Sequence, residues 1–276
     1  MIPEELIAGL RAGDRHEEGI RCLRLLRVAA GPFAALRREV AALCAVGTPS
    51  DVRQPGHVTH WVLPFGTVLQ FSLLNRSGRL DDFADDHDLD PHGKRFHDPT
   101  RYPELARLAG LFPSAVNLRV NVLGPASGLS PHEEHTFVRG PGGCAVPRLR
   151  LHLPIETTER AVLVLDGEVH RLEPGVVHLV NHGCVHAARN DADTPRVHVV
   201  WDVLLDRRTF ELLLGDGPPR ALFARISEPD RVPRPVRTER MGAHRQLPPA
   251  LRREEVDRAR LADDAQSSTP ENVAAT

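Results

Sequence analysis

At 276 residues the chain is long enough to bury a sizeable core, and 41% hydrophobic with 26% charged residues is the make-up of an ordinary globular protein. A formal charge of -2 gives no electrostatic footprint for nucleic acid or an acidic membrane surface, and no apolar run approaches the length of a membrane span. Cys22, Cys44, Cys144 and Cys184 lack the CxxC spacing of structural zinc, and the first residues lack a basic and apolar leader, so a cytoplasmic protein with reduced thiols is expected.

Residues 1–47 read as helical. Segments 4–11, 20–26 and 33–43 place apolar residues three and four apart, with Arg37, Arg38 and Glu39 on the opposite face of the last. From residue 57 the period changes. Residues 57–65 and 67–74 are β-branched and apolar runs split by Pro64-Phe65-Gly66, which predicts two paired strands. The stretch 76–101 crowds Asp81, Asp82, Asp85, Asp86, His87, Asp88 and Asp90 together without the ligand spacing of a calcium loop, and reads as a solvated surface loop. It also holds Lys94, the only lysine. Residues 102–111 read as a short helix.

Strands then follow in quick succession. Residues 115–123 alternate, with Val116, Leu118, Val120 and Val122 on one face and Asn117, Arg119 and Asn121 on the other. Residues 148–155 alternate likewise and set Arg148, Arg150, His152 and Pro154 together. Segment 161–172 carries Asp166-Gly167, a strong two-residue hairpin signal. Segments 176–180 and 196–205 complete the set, and 209–214 adds a helical turn. Short strands with turns every ten or so residues and no helices between them indicate an antiparallel sandwich or barrel. One domain over residues 1–226, with its core at about 57–215, is expected ahead of a Pro- and Arg-rich, flexible tail at 227–276 in which 252–261 could form a polar helix.

The chemistry concentrates between Ser130 and Leu205. Side chains two apart on a strand share a face, so His132 and Glu134 point one way and Glu133 and His135 the other. Two imidazoles and a carboxylate can hold iron(II) on one face and leave three positions open. His186 is the best placed third ligand after its Gly-Cys-Val turn, with His178 and His182 as rivals that spacing does not separate. Arg196 follows ten residues later at the start of the last long strand. A 2-oxoglutarate molecule chelating iron keeps a second carboxylate buried, and a guanidinium fork satisfies it with two charge-assisted bonds.

Five pieces of this stretch run in order: Pro131-His132-x-Glu134, Arg148-Leu-Arg150-Leu-His152-Leu, Glu173-Pro-Gly175, Cys184-Val-His186-x-Ala-x-Asn190 and Pro195-Arg196-Val-His-x-Val-x-Asp202. Together they resemble the aspartyl/asparaginyl β-hydroxylase family, which includes bacterial proline cis-hydroxylases. The resemblance implies a double-stranded β-helix, a jelly-roll and cupin-like barrel. It implies an enzyme using iron(II), 2-oxoglutarate and O2 to hydroxylate an aliphatic C–H of a free or peptidyl amino acid. His132, Glu134 and His186 would ligate iron, and Arg196 would take the distal carboxylate. His152 would approach the near end of 2-oxoglutarate, Asn121 would line the pocket near Arg196, and Arg150 would face the co-substrate or a substrate carboxylate. Arg119, on the face of Asn121, is a further candidate for a carboxylate-bearing small molecule or peptide. The proline-hydroxylating members have Asp where Glu134 stands and the aspartyl-hydroxylating members have Gly. With the extra methylene of Glu134, iron would have to sit slightly farther from the strand. Two other classes compete: a cupin-like metal enzyme that does not use 2-oxoglutarate, and a non-catalytic β-sandwich binding module.

Overall fold

A computed structural model describes residues 3–14, 17–46, 50–51, 60–62, 68–86, 88–139, 144–215, 221–227 and 230–232. The expected 252–261 helix, most of the tail and the turn at 64–66 lie outside these residues. The chain begins with α1 (Glu4–Asp14), β1 (Cys22–Val28), α2 (Ala30–Val46), β2 (Ser50–Asp51), β3 (His60–Val62) and β4 (Val68–Asn75). It continues through β5 (Arg95–Phe96), α3 (Pro103–Gly110), β6 (Ala115–Leu123), β7 (Ser127–His132), β8 (Phe137–Arg139) and β9 (Ala145–Glu156). Next are β10 (Ala161–Leu165), β11 (Glu168–His170), β12 (Val176–Val180), β13 (His186–Asn190) and β14 (Arg196–Leu204). α4 (Arg207–Leu213) and β15 (Phe223–Arg225) close it.

Among the described residues the strands form two antiparallel sheets, a larger one in the order β15-β1-β12-β9-β14-β6-β4-β2 and a smaller one in the order β11-β10-β13-β7-β3. They make the expected jelly roll, mainly β with helices at its flank. Paired residues of adjacent strands share a face, so the register says what each face of the larger sheet carries. On one face stand Leu118, Val120 and Val122 of β6, Val199, Trp201 and Val203 of β14, and Leu149, Leu151 and Leu153 of β9. All are buried in one apolar core with Leu10, Leu36, Val40, Leu43, Leu105 and Leu108 from α1, α2 and α3. The opposite face carries Arg119–Val200–His152 in one row and Asn117–Asp202–Arg150 in the next. It looks toward the smaller sheet across a second, smaller cluster that includes Leu123, Leu163, Val180 and Ala188. The polar half of each alternation thus faces the barrel interior rather than water.

Three expectations are corrected. Segment 20–26 is not a helix: it runs into β1, residues 22–28, whose backbone bonds to β12 on one side and β15 on the other. A register shift between Arg24 and Leu26 lets Leu25 and Leu26 both be buried, and those adjacent leucines mimic a helical spacing. Among the described residues the runs 57–65 and 67–74 do not pair with each other, since β3 pairs with β7 in the smaller sheet while β4 pairs with β6 in the larger. The Asp-rich stretch is not wholly a solvated loop. Asp86 is 3% exposed and its Oδ2 accepts from Arg119 Nη1 at 2.7 Å. Lys94, whose side chain is 1% exposed, donates from Nζ to the carbonyls of Asp85 (2.7 Å), Asp88 (2.8 Å) and Val116.

The Asp166-Gly167 hairpin forms as expected. Both residues have positive φ, 45° and 85°, the requirement of a two-residue turn that follows the strands' own twist. Its second task was not legible: Asp166 N–H donates to Val185 O at 2.8 Å and Asp166 Oδ1 accepts from Val185 N at 3.1 Å. That reciprocal pair fastens the residue before His186.

Candidate active site

The registers of β13, β10 and β7 bring the histidines together. His186 opens β13 directly opposite His132, which ends β7, and their ring centroids are 4.1 Å apart. His186 Nδ1 lies 2.9 Å from Cys184 O. A carbonyl only accepts, so Nδ1 carries the proton and Nε2 keeps its lone pair for a metal, as is common at metal-ligating histidines. Burial, then neighbouring His132, holds the His186 pKa well below its usual value, so the ring is neutral. Glu134 lies two residues beyond the end of β7 and its N–H donates to His182 O at 2.9 Å. Ligand atoms of His132, Glu134 and His186 all fall within 4.8 Å of one another. Two imidazole nitrogens and one carboxylate oxygen suit iron(II) with open positions.

Of the two outer-face residues, His135 is exposed while Glu133 is buried. The rivals for third ligand stand elsewhere. His182 Nε2 accepts from Arg148, at 3.3 Å from Nε and 3.2 Å from Nη2, and His178 Nδ1 lies 3.0 Å from Val176 O. Burial lowers His182 to about 3 and His178 to about 4. A linkage effect follows for His178. The unfolded ring takes a proton near 6.5 and the folded ring only near 4, so stability falls as pH drops through that window and is flat above it. From this group alone the protein should be roughly 2 kcal/mol less stable at pH 5 than at pH 7. Urea unfolding at both values, compared with His178→Asn, measures it; an unchanged pH slope in the variant contradicts it.

The carboxylate of Glu134 is clamped. Arg150 Nη2 donates to Oε2 at 2.8 Å, Arg150 Nη1 to Oε1, and Arg148 Nη2 to Oε2 at 3.0 Å. Burial alone would raise the Glu134 pKa, but Arg150 and Arg148 overrule it and hold the group well below the usual carboxylate range. Arg150 also forks onto Asp202, with Nε on Oδ1 at 2.8 Å and Nη2 on Oδ2 at 2.9 Å. Four donor contacts of Arg150 are therefore spent on two protein carboxylates, so its expected role toward a co-substrate or substrate has little left to act with.

Arg196 is the opposite case. It opens β14, is 5% exposed, lines the same pocket as the His132–Glu134–His186 cluster and has no carboxylate partner among the described residues. Its one polar contact among the described residues is Nη2 donating to His198 Nδ1 at 2.9 Å. Burial pulls its pKa down to about 10, still charged at neutral pH. A buried guanidinium without a counter-charge is costly unless an anion completes it. His152 and Asn121 line the same pocket. His152 Nδ1 lies 3.4 Å from His198 Nδ1, and the buried Asn121 Oδ1 has no hydrogen-bond donor among the described residues. Arg119 also lines the pocket, and its Nη1 donates to Asp86 while its Nε has no partner among the described residues.

Sequence reasoning missed Asp202, Arg148, His198 and Asp86 as parts of this site. Three of them had a usable signal: 198 and 202 share strand parity with Arg196, and 148 shares it with Arg150 and His152. Asp86 had none, since loop parity is undefined.

Residues 93–205, which span the whole cluster and its pocket strands β6 to β14, match the family described as aspartyl/asparaginyl beta-hydroxylase. The matched segment and its donor set of two imidazole nitrogens and one carboxylate oxygen fit an iron(II)- and 2-oxoglutarate-dependent oxygenase. No curated protein matches the chain in sequence. Among solved structures, the chain is similar to the non-heme α-ketoglutarate-dependent epimerase SnoN of nogalamycin biosynthesis, at 14% identity and a TM-score of 0.45 over 83% of this chain and 97% of that one. It is also similar to a Pseudomonas putida prolyl-4-hydroxylase (11%, TM-score 0.38, 73% and 99%) and to AviO1 of Streptomyces viridochromogenes Tue57 (14%, TM-score 0.38, 79% and 99%). None of these three likenesses bears on the substrate. No helix among the described residues is long and apolar enough to cross a membrane.

Proposed function

We propose that the protein hydroxylates an aliphatic C–H of an amino acid, free or within a peptide, in the cytoplasm, as a step of natural-product assembly. His132, Glu134 and His186 hold iron(II). Arg196 receives the distal carboxylate of 2-oxoglutarate, with Asn121 beside it and His152 toward the near end. The observation that carries this reading is the buried Arg196 with no carboxylate partner among the described residues, in the pocket of a two-His, one-Glu cluster.

Bound iron(II), 2-oxoglutarate and O2 supply the oxidising power, and the overall balance turns 2-oxoglutarate and O2 plus the substrate C–H into succinate, carbon dioxide and an alcohol. The chain's own residues orient and exclude. Arg196 fixes one end of the co-substrate by a charged fork, so that its chelating end has one approach to the cluster. Leu123, Leu163, Val180 and Ala188 close the space between the sheets and keep water from it. The Arg119 guanidinium on the pocket wall offers its charge to a carboxylate of the substrate.

Screening amino acids and short peptides for stimulated succinate release tests the reading. A hit whose product gains one oxygen supports it. N-oxalylglycine, an unreactive mimic of 2-oxoglutarate, should bind in the presence of metal; failure to bind favours a cupin-like enzyme that does without 2-oxoglutarate.

A further inference from the structure

Asp202 does not line the pocket of the cluster, yet it is buried at 1% exposure and engaged by Asn117 and Arg150. Its N–H donates to Asn117 Oδ1 at 3.0 Å, and Asn117 Nδ2 returns a bond to Asp202 Oδ2 at 3.1 Å. The register explains the fit: Asp202 stands opposite Asn117 on β6 and opposite Arg150 on β9, so three side chains form a row on the inner face. Burial would raise the pKa of Asp202, but Arg150, by charge and hydrogen bonds, keeps it ionised. The row then continues through Arg150 to Glu134 and Arg148.

We infer that Asp202 is a positioning residue for the metal ligand Glu134, acting through the Arg150 fork. The inference rests on the proposal that Glu134 ligates the metal. Glu134 needs such support for two reasons. It sits past the end of β7, where the sheet no longer fixes its side chain, and its extra methylene over Asp adds a torsion to be held. Arg150 supplies the hold by contacting both carboxylate oxygens. It is also a strong competitor for the electron pairs a metal would use. Asp202 limits that competition: it takes Nε and shares Nη2, so that the four charges Asp202, Arg150, Glu134 and Arg148 balance in a chain. Without the Asp202 charge, the Arg150 fork would bear on Glu134 alone and draw its carboxylate away from a metal.

The test is cobalt(II) binding to the full chain, followed by visible d–d absorption, for the wild type, Asp202→Asn, Arg150→Met and the double variant. Removing a partner behind a metal ligand costs about 10–100-fold in affinity, and that loss is expected for D202N together with a changed cobalt spectrum. Because Asp202 acts through Arg150, D202N should have little further effect once Arg150 is Met, whereas a general loosening of the fold would weaken both backgrounds alike. Should D202N fail to fold, Asn117→Ser removes the amide that holds the Asp202 carboxylate against Arg150, keeps its charge, and should show a smaller loss in the same direction. Wild-type cobalt affinity and spectrum in a folded D202N or N117S, or equal effects of D202N with and without Arg150, overturn the inference. A wild-type protein that binds no cobalt overturns the metal assignment itself.

Discussion

Arg196→Met should remove 2-oxoglutarate binding while leaving the fold at least as stable as before. Arg196 is a buried cation whose one polar contact among the described residues is the neutral ring of His198. It contributes nothing as an ion pair until an anion arrives, and it carries its desolvation cost throughout. Replacing a buried charge by an apolar chain of similar length is neutral or stabilising. The bound carboxylate, by contrast, loses two charge-assisted bonds of about 1.5–3 kcal/mol each, which amounts to about 10²–10⁴ in affinity. Calorimetric titration with 2-oxoglutarate in the presence of cobalt(II), paired with urea unfolding, reads both halves. Arg196→Lys, which keeps the charge but not the fork, should fall between. Wild-type affinity in R196M would place the distal carboxylate elsewhere in the pocket, with Arg119 the next guanidinium to try.

His132→Ala and His186→Ala should each abolish substrate-dependent succinate formation and weaken metal binding by well over the about 10–100-fold that a supporting partner is worth, since each removes a ligand outright. Two atoms cannot cap a face, and a metal held by one imidazole and Glu134 would compete poorly with water and with Arg150 for the carboxylate. The informative contrast is with the other inward histidines. His182→Ala and His178→Ala remove rings bonded to Arg148 and to Val176 O, and both proteins should retain cobalt binding. If H182A lost the metal and H186A kept it, the third ligand would be misassigned, and the Glu134 N–H bond to His182 O would mark where the true cluster lies.

Much of the fold and most of the candidate cluster could be read from residue spacing, and the reason lies in the strands that carry both. β6, β9 and β14 alternate strictly because one face meets three helices and the other meets the pocket, so period-two parity sorted Asn121, Arg150, His152 and Arg196 to the same side. What parity could not reveal was what those residues do to one another. Arg150 reads as a ligand-facing arginine until Asp202 and Glu134 are seen on its fork, and that needs the register between β9 and β14, which a single sequence does not specify. β1 was hidden for a similar reason: its Leu-Leu-containing run has a helical look, and only its neighbours β12 and β15 make it a strand. Asp86 was out of reach because loops have no period at all.

Lys94 turns one of these loop contacts into something measurable. The sequence holds no other lysine, and its ammonium is spent on three main-chain carbonyls, two from the Asp-rich loop and one from β6. An acylating reagent can reach it only when the segment lifts from the sheet. Asp86 rides on that same segment and secures Arg119 in the pocket wall. The slow acylation rate of one side chain would therefore act as a clock for how often that wall comes unfastened.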